Sequence, residues 1–159
     1  MTVDPGAFRA ATHAFAGCVS VLTADEGGRR SGLIVMSTLA LSTDPPLLLA
    51  CVNVEGSAWP LITGSGAFGW SMLGADHTPV AQRFATAKGA DRLDGATWET
   101  AETGAPLLSG APAAFDCRVE DAIPKGAQAI LIGRVVAIRQ TAGKGALLWW
   151  QGGFRPLTA

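Results

Sequence analysis

At 159 residues, with 48% hydrophobic and only 16% charged side chains, the chain is long enough for one well-buried domain and too apolar for disorder. A formal net charge of −1, with its 12 Lys and Arg scattered, supplies no basic stripe for phosphate backbones, so nucleic acid is not an expected partner. The longest uninterrupted apolar run, Leu47 to Val52, is far short of the roughly 20 residues a spanning helix needs, so no membrane association is expected.

The chain begins with a predicted helix. Asp4 can cap it, Pro5 suits its first turn, and Phe8, Ala11 and Phe15 fall on one face with Thr12 as the polar member of that stripe. His13 lies on the less apolar side, facing solvent. The period then changes: Val19, Val21 and Thr23 alternate as a strand, Asp25 to Gly28 forms a turn, and Gly32 to Ser42 is one long β-prone run. Thr43-Asp44-Pro45-Pro46 is a rigid loop, because two prolines do not fit inside a ladder. Leu47 to Asn53 is a buried strand, and Ser57 to Thr63 a short helix with Ser57 as its cap and Leu61 and Ile62 turned inward.

Ala67 to Leu73 is the next strand, and Asp76 or Thr78 starts a helix running to about Ala87. Lys88 to Gly110 is polar and Gly-rich and is expected as a long surface excursion. Strands follow over Ala113 to Glu120, Ala129 to Arg139 and Ala146 to Trp150, with a last short one from Phe154 to Leu157. Six or seven antiparallel-capable strands with few helices predict a mainly β (α+β) fold, a closed or split barrel, in a single domain over 1–159.

Few catalytic signatures occur. Gly64-Ser65-Gly66-Ala67-Phe68-Gly69 matches G-x-G-x-x-G by letter, but it leads into a strand, whereas a dinucleotide fingerprint opens a helix. Cys18, Cys51 and Cys117 are far apart and, with only His13 and His77 beside them, build no zinc spacing. Each reads as a small buried apolar residue in a reducing cytoplasm. His77 reads as a surface residue at a helix start, and Trp149-Trp150 either line a pocket or alternate between core and subunit interface.

Across the chain an ordered set of blocks resembles the short-chain flavin reductase family, whose fold is an antiparallel FMN-binding split β-barrel of Greek-key type with a few flanking helices. The blocks are Phe8-Arg9, Phe15-Ala16, Val19 to Thr23, Gly32-Leu33, Leu41 to Leu49, Cys51-Val52 and Ser57. They continue through Ser65 to Phe68, Ala81, Phe84-Ala85, Gly104 to Leu108, Cys117 to Glu120, Ile132 to Val135 and Ala146 to Phe154. The resemblance implies a homodimer in which NADH or NADPH reduces FMN or FAD near the subunit interface, with reduced flavin passed to a partner monooxygenase. Such chemistry needs positioning of two cofactors more than an acid or base.

Carried over residue by residue, the resemblance implies flavin contacts from Ser37 and Thr38, a ring-lining pair Cys51 and Val52, and a phosphate-side Ser57 at a helix start. Phe84 is a further cofactor contact. Ile34 and Met36 stand on the flavin-facing strand where the family has Thr and Ser or Asn. Trp70-Ser71 replaces Val-Asn, and Gly126-Ala127-Gln128 replaces the Gly-Asp-His of the nicotinamide side, leaving Gln128 as the catalytic candidate. Together these changes trade hydrogen-bonding groups for apolar or neutral ones. That leaves a second class of function open: a diverged barrel, without redox work, that binds or transforms a small apolar molecule as a binding protein, cyclase or isomerase. A pyridoxal-phosphate-type oxidase would need a basic phosphate cluster, which the sequence does not display.

Overall fold

The computed structural model describes residues 2–158. The first helix, α1, spans Pro5–Thr12, and the Asp4 carboxylate caps it by accepting the Ala7 N–H at 2.8 Å. None of its residues is buried, and Phe8 and the following Phe15 are 65% and 76% exposed, so its apolar stripe covers nothing within the chain. A two-residue strand β1 (Gly17–Cys18) leads into β2 (Ser20–Glu26), which turns through Gly27-Gly28 into β3 (Arg29–Val35).

The expected single run from Gly32 to Ser42 is two strands. β3 ends at Val35, β4 covers Thr38–Thr43, and β4 turns back into β5 (Pro46–Asn53). Inward-facing residues are Leu33 and Val35 in β3 but Thr38 and Ala40 in β4, a phase slip that marks the break. The remaining elements are α2 (Ala58–Ser65), β6 (Ala67–Met72), α3 (Thr78–Thr86), a 3₁₀ turn (Gly89–Leu93), β7 (Trp98–Glu99), β8 (Leu107–Leu108), β9 (Ala113–Lys125), β10 (Gln128–Gln140), β11 (Ala146–Trp150) and β12 (Gly153–Leu157). The G-x-G-x-x-G letters fall on the end of α2, its left-handed Gly66 and the start of β6, as their context predicts.

Seven antiparallel strands form one sheet in the order β3-β2-β6-β9-β10-β5-β4. Laid flat, its two edge strands would lie roughly 29 Å apart at the usual strand spacing. Only Met36 and Ser37 join those edges, and the three peptide steps from Val35 to Thr38 reach at most about 11 Å. The sheet therefore curls until its edges meet at this corner, where the Ser37 carbonyl accepts the Cys51 N–H at 2.9 Å. Inside the curl lies one apolar core, with Leu22, Leu33, Val52, Phe68, Trp70 and Leu131 from the strands. Ala58, Leu61 and Ile62 of α2 close one end of it. A second core lies on the outer face, where Val19, Val21, Phe84, Leu107 and Leu147 meet.

The Lys88–Gly110 segment is not the surface excursion its polarity predicts. Leu93, Ala105, Leu107 and Leu108 are buried, and three buried polar side chains on adjacent strands hold the segment down. The Thr23 hydroxyl of β2 donates to the Pro106 carbonyl, the Ser71 hydroxyl of β6 accepts the Leu108 N–H at 2.9 Å, and Asp116 of β9 accepts the Thr103 N–H at 2.8 Å and its hydroxyl. Gly69 makes this approach possible, since a Cβ there would stand 2.1 Å from the Pro106 carbonyl oxygen. Backbone polar atoms of the segment thus find partners on the sheet that a sequence pattern does not reveal.

Replacing Asp116 by Ala leaves two Thr103 donors without their buried carboxylate and is expected to destabilise the fold by about 1.5–3 kcal/mol. Urea unfolding should show a lower midpoint at an unchanged slope; a midpoint equal to wild type would remove Asp116 from the account of how this segment is held.

Candidate functional site

Two hollows open beside the Met36–Ser37 corner. The larger is a cleft of about 750 Å³ on the outer face of β4 and β5, and the smaller a pocket of about 400 Å³ at the end of the inner core that α2 leaves open. Ala16, Gly17, Met36, Thr38 and Leu39 border both. Alternation along the strands creates the division. In β5, Leu49 and Cys51 face out to the cleft while Leu48, Ala50 and Val52 face the inner core.

The cleft floor is apolar: Leu39, Leu49 and Cys51 from the sheet, Met36 from the corner, and Phe15, Ala16 and Trp149 on the side of α1 and β11. Trp149 pairs with Gly17 across β1 and β11, and Phe154 fixes its ring edge-on at 5.1 Å. Polar groups are few: the Ser37, Thr38 and Thr12 side chains and the His13 imidazole. Among the described residues no Asp, Glu, Lys or Arg lines the cleft. It is suited to stacking a flat, largely uncharged ring system against aliphatic and aromatic carbon, with hydroxyls at the edge to meet ring heteroatoms. Those are the demands of an isoalloxazine ring, and the residues fit it; no cation in the lining serves its phosphate.

The residues expected at the site separate into three groups. Met36, Ser37, Thr38 and Cys51 line the cleft together. Gln128 pairs with Asn53 and is exposed, while Ile130 pairs with Cys51. Gln128 is therefore the diagonal neighbour of Cys51 on the same sheet face, about 7–8 Å away. Ser57 stands past the end of β5 at the start of α2 but does not cap the helix with its side chain. Its backbone is already helical, and its hydroxyl pairs with the Ser31 hydroxyl at 2.7 Å.

Val52, Ile34 and Phe84 lie elsewhere. Val52 is 1% exposed and fills the inner core, because neighbours on a strand cannot face the same side as Cys51. Ile34 packs against the outer core. Phe84 is 1% exposed, 6.0 Å from the Trp98 ring centroid and over Gly32, where a Cβ would meet its ring at 2.6 Å. Val52 and Phe84 are buried and Ile34 is half-buried against the outer core, so the three stand apart from the residues that line the cleft. Trp70 and Ser71 also have structural occupations, Trp70 in the inner core and Ser71 on the Leu108 amide.

Thr12, His13, Phe15, Leu39 and Leu49 line the cleft without having been assigned to it from the sequence, and Trp149 takes the pocket-lining one of its two alternatives. The one signal that could have found them was the pair Phe8 and Phe15, large apolar groups on a helix face too short to bury itself. His77, in contrast, is a structural group at the start of α3. Its Nδ1 accepts the Gly74 N–H at 3.0 Å, and burial draws its pKa below the usual histidine value against the opposing pull of Asp76. Cys117 is equally removed from chemistry, since burial and then the Asp116 charge push its thiol up to about 12. Among the described residues no group of three or more His, Cys, Asp or Glu gathers to hold a metal, and no helix is long and apolar enough to cross a membrane.

Comparison with known proteins places this geometry. FMN reductase (NADH) RutF 2 of Methylorubrum extorquens is 37% identical over 148 residues, covering 92% of this chain and 86% of the relative. FMN reductase (NADH) RutF of Bradyrhizobium diazoefficiens is 34% identical over 87% of this chain and 77% of its own. Among solved structures, the NADH:FAD oxidoreductase SgcE6 of Streptomyces globisporus superposes with a TM-score of 0.90 at 28% identity, over 100% of this chain and 98% of that one. BorF, the flavin reductase component of a bacterial two-component tryptophan halogenase, does so with a TM-score of 0.89 at 31% identity, over 98% and 99%. The family model described as flavin reductase like domain matches residues 12–158, and the chain belongs to that family.

Proposed function

We propose that this protein is a flavin reductase that uses NADH or NADPH to reduce FMN or FAD and releases the reduced flavin to a partner monooxygenase or related oxygenase. The observation that carries the reading is the large uncharged cleft at the Met36–Ser37 corner, in a chain 37% identical to an FMN reductase (NADH). In this reading residues 1–159 form one domain and the curled sheet is a split barrel. The three free cysteines suit a cytoplasmic protein.

Bound flavin supplies a ring that accepts a hydride from reduced nicotinamide. The chain's own work is to position it. Leu39, Leu49 and Cys51 would give the ring a flat apolar floor, while the Ser37 hydroxyl, with Thr38 on the rim shared with the inner pocket, would hold its polar edge. Ser57 serves the phosphate: within the Ser31–Ser57 pair one hydroxyl proton stays free to donate, and the start of α2 adds its backbone dipole. Gln128, one strand over on the same face, holds the nicotinamide side by hydrogen bonding, without a proton to exchange. With the two cofactors positioned in this way, the chemistry would call on the chain for an apolar surface and orientation more than for an acid or base.

A second copy of the chain completes the cleft. Phe15 and Leu39 line it and are exposed, and Phe8 of α1 and Leu41 of β4 are exposed as well, apolar surface of the kind that marks an interface. Sedimentation at micromolar concentration is expected to show a homodimer, and a monomer would remove this part of the reading.

Purified protein is expected to consume NADH or NADPH only when FMN or FAD is added; folded protein with neither turnover nor flavin binding overturns the reductase. Ser57→Ala should weaken FMN binding about three- to tenfold and leave riboflavin binding unchanged. Equal loss for both flavins would end the phosphate role.

Thiol labelling gives a structural check. Cys18 and Cys51 are exposed and should alkylate in the native state, while Cys117 should react only after unfolding. Saturating FMN should slow labelling of Cys51 severalfold and leave Cys18 unchanged. Cys51 labelling that ignores FMN would place the flavin elsewhere.

A further inference from the structure

We infer that the smaller, inner pocket is a second binding site, for a neutral organic molecule of one or two rings bearing one hydrogen-bonding group. Ser20 carries the inference. It sits at an inward position of β2, in phase with Leu22 and Ala24 of the inner core, and lines the pocket. It is 1% exposed, and its hydroxyl has no hydrogen-bond partner among the described residues. The other buried polar side chains, Thr23, Ser31, Ser71 and Asp116, are all partnered. An unpaired buried hydroxyl costs stability that an alanine would not, and it becomes favourable once a ligand group reaches it.

The walls define the ligand. Trp70, Phe115, Met72 and Leu48 are apolar, and among the described residues no charged side chain borders the pocket. An ionised group would lose its hydration with nothing in return, so flavin phosphates and dinucleotides belong to the outer cleft. At about 400 Å³ the space exceeds the roughly 150 Å³ apolar cavity that admits benzene. The shared wall of Gly17, Met36, Thr38 and Leu39 sets this site beside the flavin cleft proposed above, but the inference does not depend on flavin.

The test uses the full, flavin-free chain titrated by calorimetry with 1-naphthol, naphthalene and ionised 1-naphthoate. Naphthol is expected to bind about tenfold more tightly than naphthalene, and naphthoate not measurably. Ser20→Ala should bring naphthol to parity with naphthalene, leave naphthalene unchanged and not lower Tm. Ala40→Phe, which projects a ring from exposed β4 into the mouth, should abolish binding of both neutral probes. Repeating the naphthol titration with saturating FMN should leave its affinity within about twofold. No saturable naphthol binding by folded wild-type protein overturns the site. So does a naphthol preference that survives Ser20→Ala, tight naphthoate binding, or displacement of naphthol by FMN. A protein that fails to reduce flavin but passes these titrations keeps the inner site and loses only the reductase reading.

Discussion

The two residues between β3 and β4 set the geometry of everything else. A seven-stranded sheet whose edge strands are consecutive in the chain, with only Met36 and Ser37 to bridge them, has to curl. Curling gives the sheet an inside and an outside, and thereby two apolar cores from strands whose side chains alternate. It also leaves one corner where neither ladder continues and backbone and side chains of both edges are within reach of a ligand. The cleft and the inner pocket both open at that corner because regular pairing stops there.

The same curl explains how a mainly β chain of this size holds an irregular segment of more than twenty residues against its outer face. The segment brings backbone donors and acceptors with it, and buried ones need partners. Thr23, Ser71 and Asp116 supply them from three neighbouring strands, so polar residues sit at outward positions that the strand pattern alone marks for solvent. This accounts for Ser71 without reference to a ligand.

Much of the architecture was legible in the residues. Asp4 with Pro5, the Gly27-Gly28 turn and the alternation of Val19, Val21 and Thr23 each corresponded to the local structure they imply. The break after Val35 was not legible, because an apolar run conceals a phase slip until the partner strands are known. The buried role of Leu107 and Leu108 was hidden for a related reason, since the polar residues around them signal solvent whether or not a sheet supplies partners. At the site, family resemblance located Met36, Ser37, Thr38 and Cys51 at the cleft. It could not tell which neighbours face the other way: Cys51 and Val52 share a strand and so look to opposite sides, and Ile34 and Phe84 belong to the outer core. Thr12 shares its helix stripe with Phe15, but His13 reaches the cleft through the path of the chain after α1, which no periodicity encodes.

The short corner also limits how this chain can vary. One residue added between Val35 and Thr38 would advance β4 by one step against β5 or turn it over, sending Leu39 inward and Thr38 and Ala40 outward. The cleft floor and the pocket wall would trade chemistry in a single event. Substitutions at Ile34 and Met36 carry no such penalty, since they leave the reading frame of the pleat intact. Length at this corner is thus constrained by the pleat in a way that side-chain identity is not: an exchanged side chain alters one wall, whereas an added residue alters both.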